Sequence, residues 1–440
     1  MPYHPPLEES NVIDGLRVGY LKFFGFWNVI NDYKTTGKRN AFINFHFYSN
    51  IIICTPFIVL QLICYFFIDM DIQKAIRINL HFLPAIMMGG RIMVFWFRIE
   101  SQSKLCNLIQ KDFLHIPEYK MAKACIIYRK ITRNANILCI LAYIVDFSVV
   151  FSNLCIPGTP VDYIMYHKGN IFDVKTGKKK LLSAWYPLPM GESPYYEIIF
   201  VYEAICLLIG GIYQPTYACL FYQILVGLHA QFVVLGYHAS TMYDSSNSNS
   251  NRNLIDTESK CNSKSNSNSN SSLRKIAHEY IDSDMNKELY SIIQDHHKLL
   301  SYAEELRSVY NPLLTMNLGL AIVFLIVSLF HYLMGETGDI IDGFKALQFL
   351  TAQMVELFMF CYCSSWLQSA SSDIQIAVYS SDWYKADVKF RKSAQLLMMG
   401  AEKGVTLTAI KMYPVNKETL MAILQYVYST CALMSGLLEK

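Results

Sequence analysis

Seven stretches of this chain are apolar enough and long enough to cross a bilayer: roughly residues 43–68, 78–99, 135–155, 198–224, 312–334, 346–368 and 417–438. A helix needs about 20 residues to cross a hydrocarbon core about 30 Å thick, so each stretch predicts a transmembrane helix. The expected fold class is an all-α integral membrane protein with seven transmembrane helices. The seventh stretch, KETLMAILQYVYSTCALMSGLL, is the least hydrophobic and carries Gln425, Tyr426, Tyr428, Ser429, Thr430 and Ser435. A span that polar should not face lipid on every side. It either lines a water-filled path or packs against neighbouring helices with its hydroxyls bonded to backbone.

The connections have patterns of their own. Residues 1–42 form an N-terminal segment, and residues 156–197 are dense in Pro and aromatics (Pro157, Pro160, Trp185, Tyr186, Pro187, Pro189, Pro194, Tyr195, Tyr196), which predicts an ordered cover on the membrane face. Within it, Lys178 to Lys180 is expected to be a solvated turn. The connection 225–311 divides in two. Residues 244–272 are low-complexity Ser/Asn, too polar to offset the entropy of ordering, and predict a disordered insert. Residues 276–309 show Leu289, Ile292, His296, Leu299, Ala303 and Leu306 at spacings of three and four, which predicts a long amphipathic helix running into the fifth span at Pro312. Residues 369–416 interleave Tyr379, Trp383, Tyr384 and Phe390 with Lys385, Lys389, Arg391 and Lys392. This pattern predicts a packed helical anchor with a basic face toward lipid headgroups, and no nucleic-acid surface.

Composition agrees with a membrane protein: 53% of the 440 residues are hydrophobic and 17% charged, against about 25% charged in soluble domains. The basic residues are unevenly placed. Twenty-six Lys and Arg lie in the N-terminal segment and in the second, fourth and sixth connections, against nine in the others and the tail. Basic segments stay on the cytoplasmic side, so the N-terminus is expected inside and the C-terminus outside. The opening, MPYHPPLEES, lacks the pattern of a cleaved signal peptide. Of twelve cysteines, Cys54, Cys64, Cys139, Cys206, Cys219, Cys361, Cys363 and Cys431 lie in apolar stretches, as packing residues do, and no disulfide framework or zinc spacing is expected. There is no Gly-rich phosphate loop, GxSxG or HExxH, so no enzyme chemistry, cofactor or metal is expected.

Several motifs resemble those of the insect odorant receptors. Tyr20 to Trp27 resembles the family's "LxxxGxW" opening; Glu288 to Leu314, with His297, Leu300, Ala303, Leu306 and Asn311-Pro312-Leu313-Leu314, resembles its "HxxILxxAxxLxxxFSPLL" segment. Val378 to Tyr384 resembles "xYxSxWY", Tyr428-Ser429 the closing "SYS" helix, and Pro194 to Glu197 is of family type. The resemblance implies an odorant-gated, non-selective cation channel in the plasma membrane of olfactory sensory neurons, at their dendrites. It implies a ligand-tuning subunit, assembled as a heterotetramer with the shared co-receptor. It also implies a pore ringed by seventh helices, a cytoplasmic inter-subunit anchor, and a volatile hydrophobic ligand bound in the outer half of one bundle.

On that basis the expected pore face is Tyr428, Cys431, Ser435 and Leu438, at spacings of three, four and three, with Leu438 as an apolar constriction. The expected ligand-binding residues are Phe82, Met87, Met88, Tyr143, Phe147, Phe151, Tyr202, Cys206, Phe349 and Gln353. Glu203 and Glu356 are intramembrane acids with Arg91 as a partner for either, and Gln214-Pro215 predicts a bend in the fourth span. Two other functions compete. A metabotropic seven-helix receptor requires an external N-terminus, contrary to the charge asymmetry, and a transporter should show paired broken helices, of which one half is present here.

Overall fold

The computed structural model describes residues 21, 25–37, 45–67, 72–110, 114–156, 178–182, 184–188, 192–242, 269–334 and 340–438. These form ten α-helices and one short hairpin: α1 (Phe26–Thr36), α2 (Phe45–Phe67), α3 (Ile72–Phe97), α4 (Ile99–Gln110), α5 (Glu118–Cys155), α6 (Tyr195–Ser240), α7 (Ser269–Met334), α8 (Ile340–Tyr379), α9 (Val388–Ala401), β1 (Thr408–Ala409), β2 (Tyr413–Pro414) and α10 (Lys417–Leu438). The Ser/Asn insert expected at 244–272 lies outside the described residues except at 269–272, where α7 begins.

Among the described residues six helices are long and apolar enough to span a membrane, and α10 coincides with the predicted seventh span. Several of them outrun their predicted spans. The third span, expected from residue 135, is the far half of α5; the fourth, expected to end at 224, continues to Ser240. The amphipathic helix and the fifth span, expected to meet at Asn311-Pro312, are one helix of 66 residues. The sixth, expected to end at 368, runs on to Tyr379. Hydropathy detects only the lipid-facing part of a helix, whereas the polar extensions are held by packing on one another.

The central helix is α6. In its membrane-length window 89% of positions are buried, against 28–50% in the other five, because its sequence is apolar on every side. It packs chiefly on α5 and α8, while α3 lies along α7. Below its midpoint an aromatic cluster ties three helices together, with Phe221 centred 4.6 Å from Tyr310 and 5.1 Å from Phe360. Further along, Lys120 Nζ (2.6 Å) and His238 Nε2 (3.0 Å) converge on Glu288 Oε1, joining α5, α6 and α7 through buried polar groups. His115 on the α5 approach is held to buried Asp295 by its main-chain N–H and its ring nitrogen, both at 2.8 Å. Only partners placed this closely make buried charge tolerable.

The start of α10 is fixed by α7 and α8. Arg307, Asn311 and Thr315, four residues apart along one face of α7, reach the segment preceding α10 in turn. Arg307 donates to Thr406 O (2.8 Å), Asn311 donates to Thr408 O (2.6 Å), and Thr315 Oγ1 accepts from Ile410 N (2.7 Å). From α8, Ser371 Oγ accepts Val405 N (2.6 Å) and Ser365 Oγ accepts Lys417 N (3.0 Å). Asn416 caps the helix by accepting from Thr419 N at 2.9 Å.

The antiparallel hairpin, with Thr408 opposite Pro414 and Ala409 opposite Tyr413, turns through Ile410 (φ 53°) and Lys411 (φ 60°). A β-branched residue is strained there by about 1–2 kcal/mol. Ile410 is exposed, so little burial offsets the strain. Ile410→Asn, which tolerates the left-handed region, is expected to stabilise the purified protein by about 1 kcal/mol. An unchanged or lowered thermal midpoint in detergent would count against the strain.

Candidate functional site

At the end of the bundle nearest the 178–188 segment, α2, α3, α5, α6, α7 and α8 line a partly open cavity of about 150 Å³. An apolar cavity of about that size admits a benzene ring. Its apolar lining is Phe57 on α2, Leu80 and Met88 on α3, Val149 and Val150 on α5, Leu207 on α6, Phe324 on α7 and Phe349 on α8. His81, Asp146, Gln214, Gln353 and Glu356 add polar groups, and His81 packs edge-on to Phe349 with ring centroids 5.6 Å apart. Two consecutive glycines also line it. A Cβ on Gly210 would meet nothing within 4 Å, whereas one on Gly211 would collide with Val150 Cγ2, so α5 and α6 can approach only because Gly211 has no side chain.

Beneath the cavity Arg91 is buried at 1% exposure and forms a salt bridge with Glu356. Its other Nη donates to Gln214 O at 3.1 Å, Gln214 Nε2 donates to Glu356 Oε2 at 3.3 Å, and Tyr222 Oη donates to Glu356 O at 3.2 Å. Of the two acids offered to Arg91 by the sequence, Glu356 is therefore the partner. Glu203 serves a different purpose. Buried at 1% exposure, it accepts from Leu181 N (3.2 Å), Leu182 N (3.1 Å) and Tyr186 Oη (3.1 Å), and so pins the 178–188 segment to α6. Leu182, held in this way, lines the cavity. Lys178 to Lys180, expected as a solvated turn, is partly built in: Lys179 bonds to the Asn153 carbonyl (2.8 Å) and Lys180 to the Ala184 carbonyl (2.6 Å). Burial pushes the Lys180 ammonium below its usual range, against an opposing pull from Glu203.

The expected ligand residues divide. Met88, Cys206, Phe349 and Gln353 line the cavity. Phe82 packs with Cys64, Ile78 and Trp185; Met87 is buried outside the lining; Tyr143 donates to Thr216 Oγ1 at 2.7 Å; and Tyr202 donates to Ile53 O at 3.0 Å. Phe147 and Phe151 are more than half exposed on the outer side of α5, in line with Ile137, Ile140 and Ile144. That row at spacings of three and four is a lipid-facing stripe, and the cavity face of α5 is instead marked by Asp146, Val149 and Val150. Asp146, like Phe57, His81 and Phe324, lies in the lining but outside the set the sequence suggests. An acid inside an apolar run points to the interior more reliably than an aromatic does, and could have set the register.

On α10, Leu420, Ile423, Val427 and Cys431 are buried against α7 and α8, with Cys431 Sγ directed at Ile326 O at 3.7 Å. The expected pore face is rotated partly onto this packing side. Cys431 is inside it, Ser435 is half-buried with its hydroxyl bonded to Cys431 O (3.0 Å), and Tyr428 alone is well exposed, on the flank. Leu438 ends the helix and its side chain lies outside the described residues. The face opposite the packing row carries Gln425, Ser429, Ala432 and Gly436, all exposed. Apolar residues, cysteine included, set which side of a helix packs, and hydroxyl positions alone do not reveal it.

A family model for 7tm odorant receptors matches residues 85–428. Odorant receptor 82a of Drosophila melanogaster is 25% identical over 230 residues, 51% of this chain and 50% of that receptor. Odorant receptor 85b of the same fly is 25% identical over 146 residues, 33% of this chain and 37% of the relative. The matches thus span half or less of these relatives' lengths. The structure of the insect olfactory receptor OR5 from Machilis hrabei in complex with eugenol superposes with a TM-score of 0.73 at 13% identity, covering 98% of both chains. A second structure of OR5 gives 0.69 at 14% identity, over 90% of this chain and 91% of that one. The fold is thus the seven-transmembrane-helix fold of those receptors. With the family model extending over most of the chain, from α3 to α10, this protein belongs to the 7tm odorant receptor family.

Proposed function

We propose that this chain is the ligand-tuning subunit of a volatile-gated, non-selective cation channel, working in a heterotetramer with the shared co-receptor. The observation that carries this reading is the pairing of a largely apolar, partly open cavity at one end of the bundle with an α10 that buries one face and leaves a small, polar face bare. Ligand in the cavity touches α6, α7 and α8, and α10 rests on α7 and α8. A ligand that fits one arrangement of these helices better than another shifts the population toward it, and α10 moves with the helices it packs on. The cavity accommodates about one ring, in keeping with the single-ring eugenol carried by OR5.

Within this reading Met88, Cys206, Phe349 and Gln353 contact ligand together with Phe57, His81, Asp146 and Phe324. Gln425, Ser429, Ala432 and Gly436, with Tyr428 on the flank, face the permeation path. No carboxylate stands on that face, which suits a pore that does not choose sharply among cations. The N-terminus is cytoplasmic and the C-terminus external, in the plasma membrane of olfactory neurons at their dendrites.

The test is to express the chain with and without the co-receptor and record current to a panel of volatiles. Ligand-evoked cation current with the partner is the expected result; silence with the partner present and both subunits at the surface overturns the channel reading. Cysteine placed at Ser429 or Gln425 is expected to make that current sensitive to a charged thiol reagent, with about a tenfold faster block than cysteine at Val427, which is buried. Equal rates at the three positions would remove this face from the pore. An epitope at the N-terminus that antibody reaches without permeabilisation would reverse the orientation.

A further inference from the structure

We infer that the cavity takes its ligand as a cation, a small primary amine with a single-ring or short aliphatic body, whose ammonium is held by Asp146 and Gln353. The inference rests on the proposal that this cavity is the odorant site, and gives that site a chemical preference.

The polar groups in and beneath the cavity, His81 aside, fall into two sets. Arg91, Glu356 and Gln214 satisfy one another through the salt bridge and the hydrogen bonds described above. Asp146 and Gln353 are left over. Among the described residues no donor within hydrogen-bonding reach meets the Asp146 carboxylate, and no basic group lies within ion-pair distance of it. Gln353 is 6% exposed, lines the cavity, and has no hydrogen-bond partner among the described residues. A buried amide without a partner is costly, and an intramembrane carboxylate more so; both are retained where something else meets them.

Charge points to what that something is. Arg91 is taken by Glu356, so the Asp146 carboxyl has no positive charge within ion-pair distance among the described residues. An ammonium supplies that charge and three donors, enough for the Asp146 carboxylate and the Gln353 carbonyl oxygen together. An alcohol supplies one donor and no charge, and a hydrocarbon supplies neither. The apolar lining, with Phe57, Met88 and Phe349, accepts the apolar body.

The test uses three ligands of one shape, 2-phenylethylamine, 2-phenylethanol and propylbenzene, applied to cells expressing this chain with the co-receptor. The amine is expected to reach half-maximal current at a concentration at least about tenfold below the other two, the size of one charge-assisted contact. Asp146→Asn is expected to lower the potency of the amine relative to propylbenzene at least about tenfold. Equal potencies, or an amine preference that survives in Asp146→Asn, overturn the inference. If Asp146→Asn does not reach the surface, Gln353→Leu decides at matched surface expression: a falling amine-to-hydrocarbon ratio supports the inference and an unchanged ratio refutes it. Should all three ligands be silent while other apolar volatiles drive current that Gly210→Phe removes, the amine preference falls and the cavity stands. Should Gly210→Phe leave every volatile response intact, it is the cavity itself that falls.

Discussion

Arg91→Leu is expected to cost about 3–5 kcal/mol and to strip most of the receptor from the cell surface, the largest effect of any single substitution in the bundle. The guanidinium is fully buried, and it is the partner of Glu356. Removing one member of a buried pair leaves the other charge uncompensated in low dielectric, and that penalty, more than the lost attraction, is what destabilises. The sign of the effect can be separated from loss of packing. Because an apolar pair of similar volume is often tolerated where an ion pair was, Arg91→Leu combined with Glu356→Leu should recover at least half of the lost thermal midpoint in detergent. A double variant as unstable as the sum of its parts, or a single variant as stable as the parent, would show that the pair does not hold this part of the fold.

Gly210→Phe should abolish the response to volatiles, raising the effective concentration by about 100-fold or more, while leaving surface expression near normal. The position lines the cavity, and a Cβ there meets no atom within 4 Å, so the phenyl ring has room to grow into the cavity of about 150 Å³. Replacing glycine inside a helix also removes an entropic cost of about 0.5–1 kcal/mol, which works in favour of folding. The adjacent residue supplies the control. Gly211→Ala drives its methyl into Val150, and overpacking of that kind costs about 1–3 kcal/mol, so it should lower expression with no gain in selectivity. Dose–response curves and surface labelling, taken together on the two variants, separate blockage of a site from damage to the fold. Full ligand sensitivity in Gly210→Phe would exclude this cavity as the place where volatiles act.

Much of the molecule can be read from its residues. The number of spans follows from runs of about 20 apolar residues, because an unpaired peptide group in hydrocarbon is so costly that any such run must be helical. The central place of α6 is also legible, since a helix apolar on all sides has to be surrounded. Gln425, Ser429 and Gly436 mark α10 as unsuited to full lipid exposure, and Glu203, Glu356 and Arg91 announce themselves as interior groups by their charge. The helix lengths are less legible. Where Asn311-Pro312 suggested a junction, α7 passes straight through, because neighbouring helices and polar side chains re-satisfy what a proline frees.

What the sequence alone determined is therefore the class of the molecule: a helical membrane protein with a polar last span, intramembrane acids and an odorant-receptor pattern of motifs. What only the tertiary structure decided is direction. Periodicity says which residues share a helical face but not what that face meets, so Phe147 and Phe151 belonged equally to a pocket or to lipid until α5 was docked, and Cys431 equally to a pore or to packing until α10 lay on α7. The same holds for the charges. Arg91 had two possible acids in the sequence, and it is the separation of α6 into a cover-binding end at Glu203 and a cavity floor at Gln214 that gives it to Glu356 and leaves Asp146 facing the cavity. Pairing energy falls off within a few ångströms, and distances that short between residues over a hundred positions apart exist only once the helices are packed.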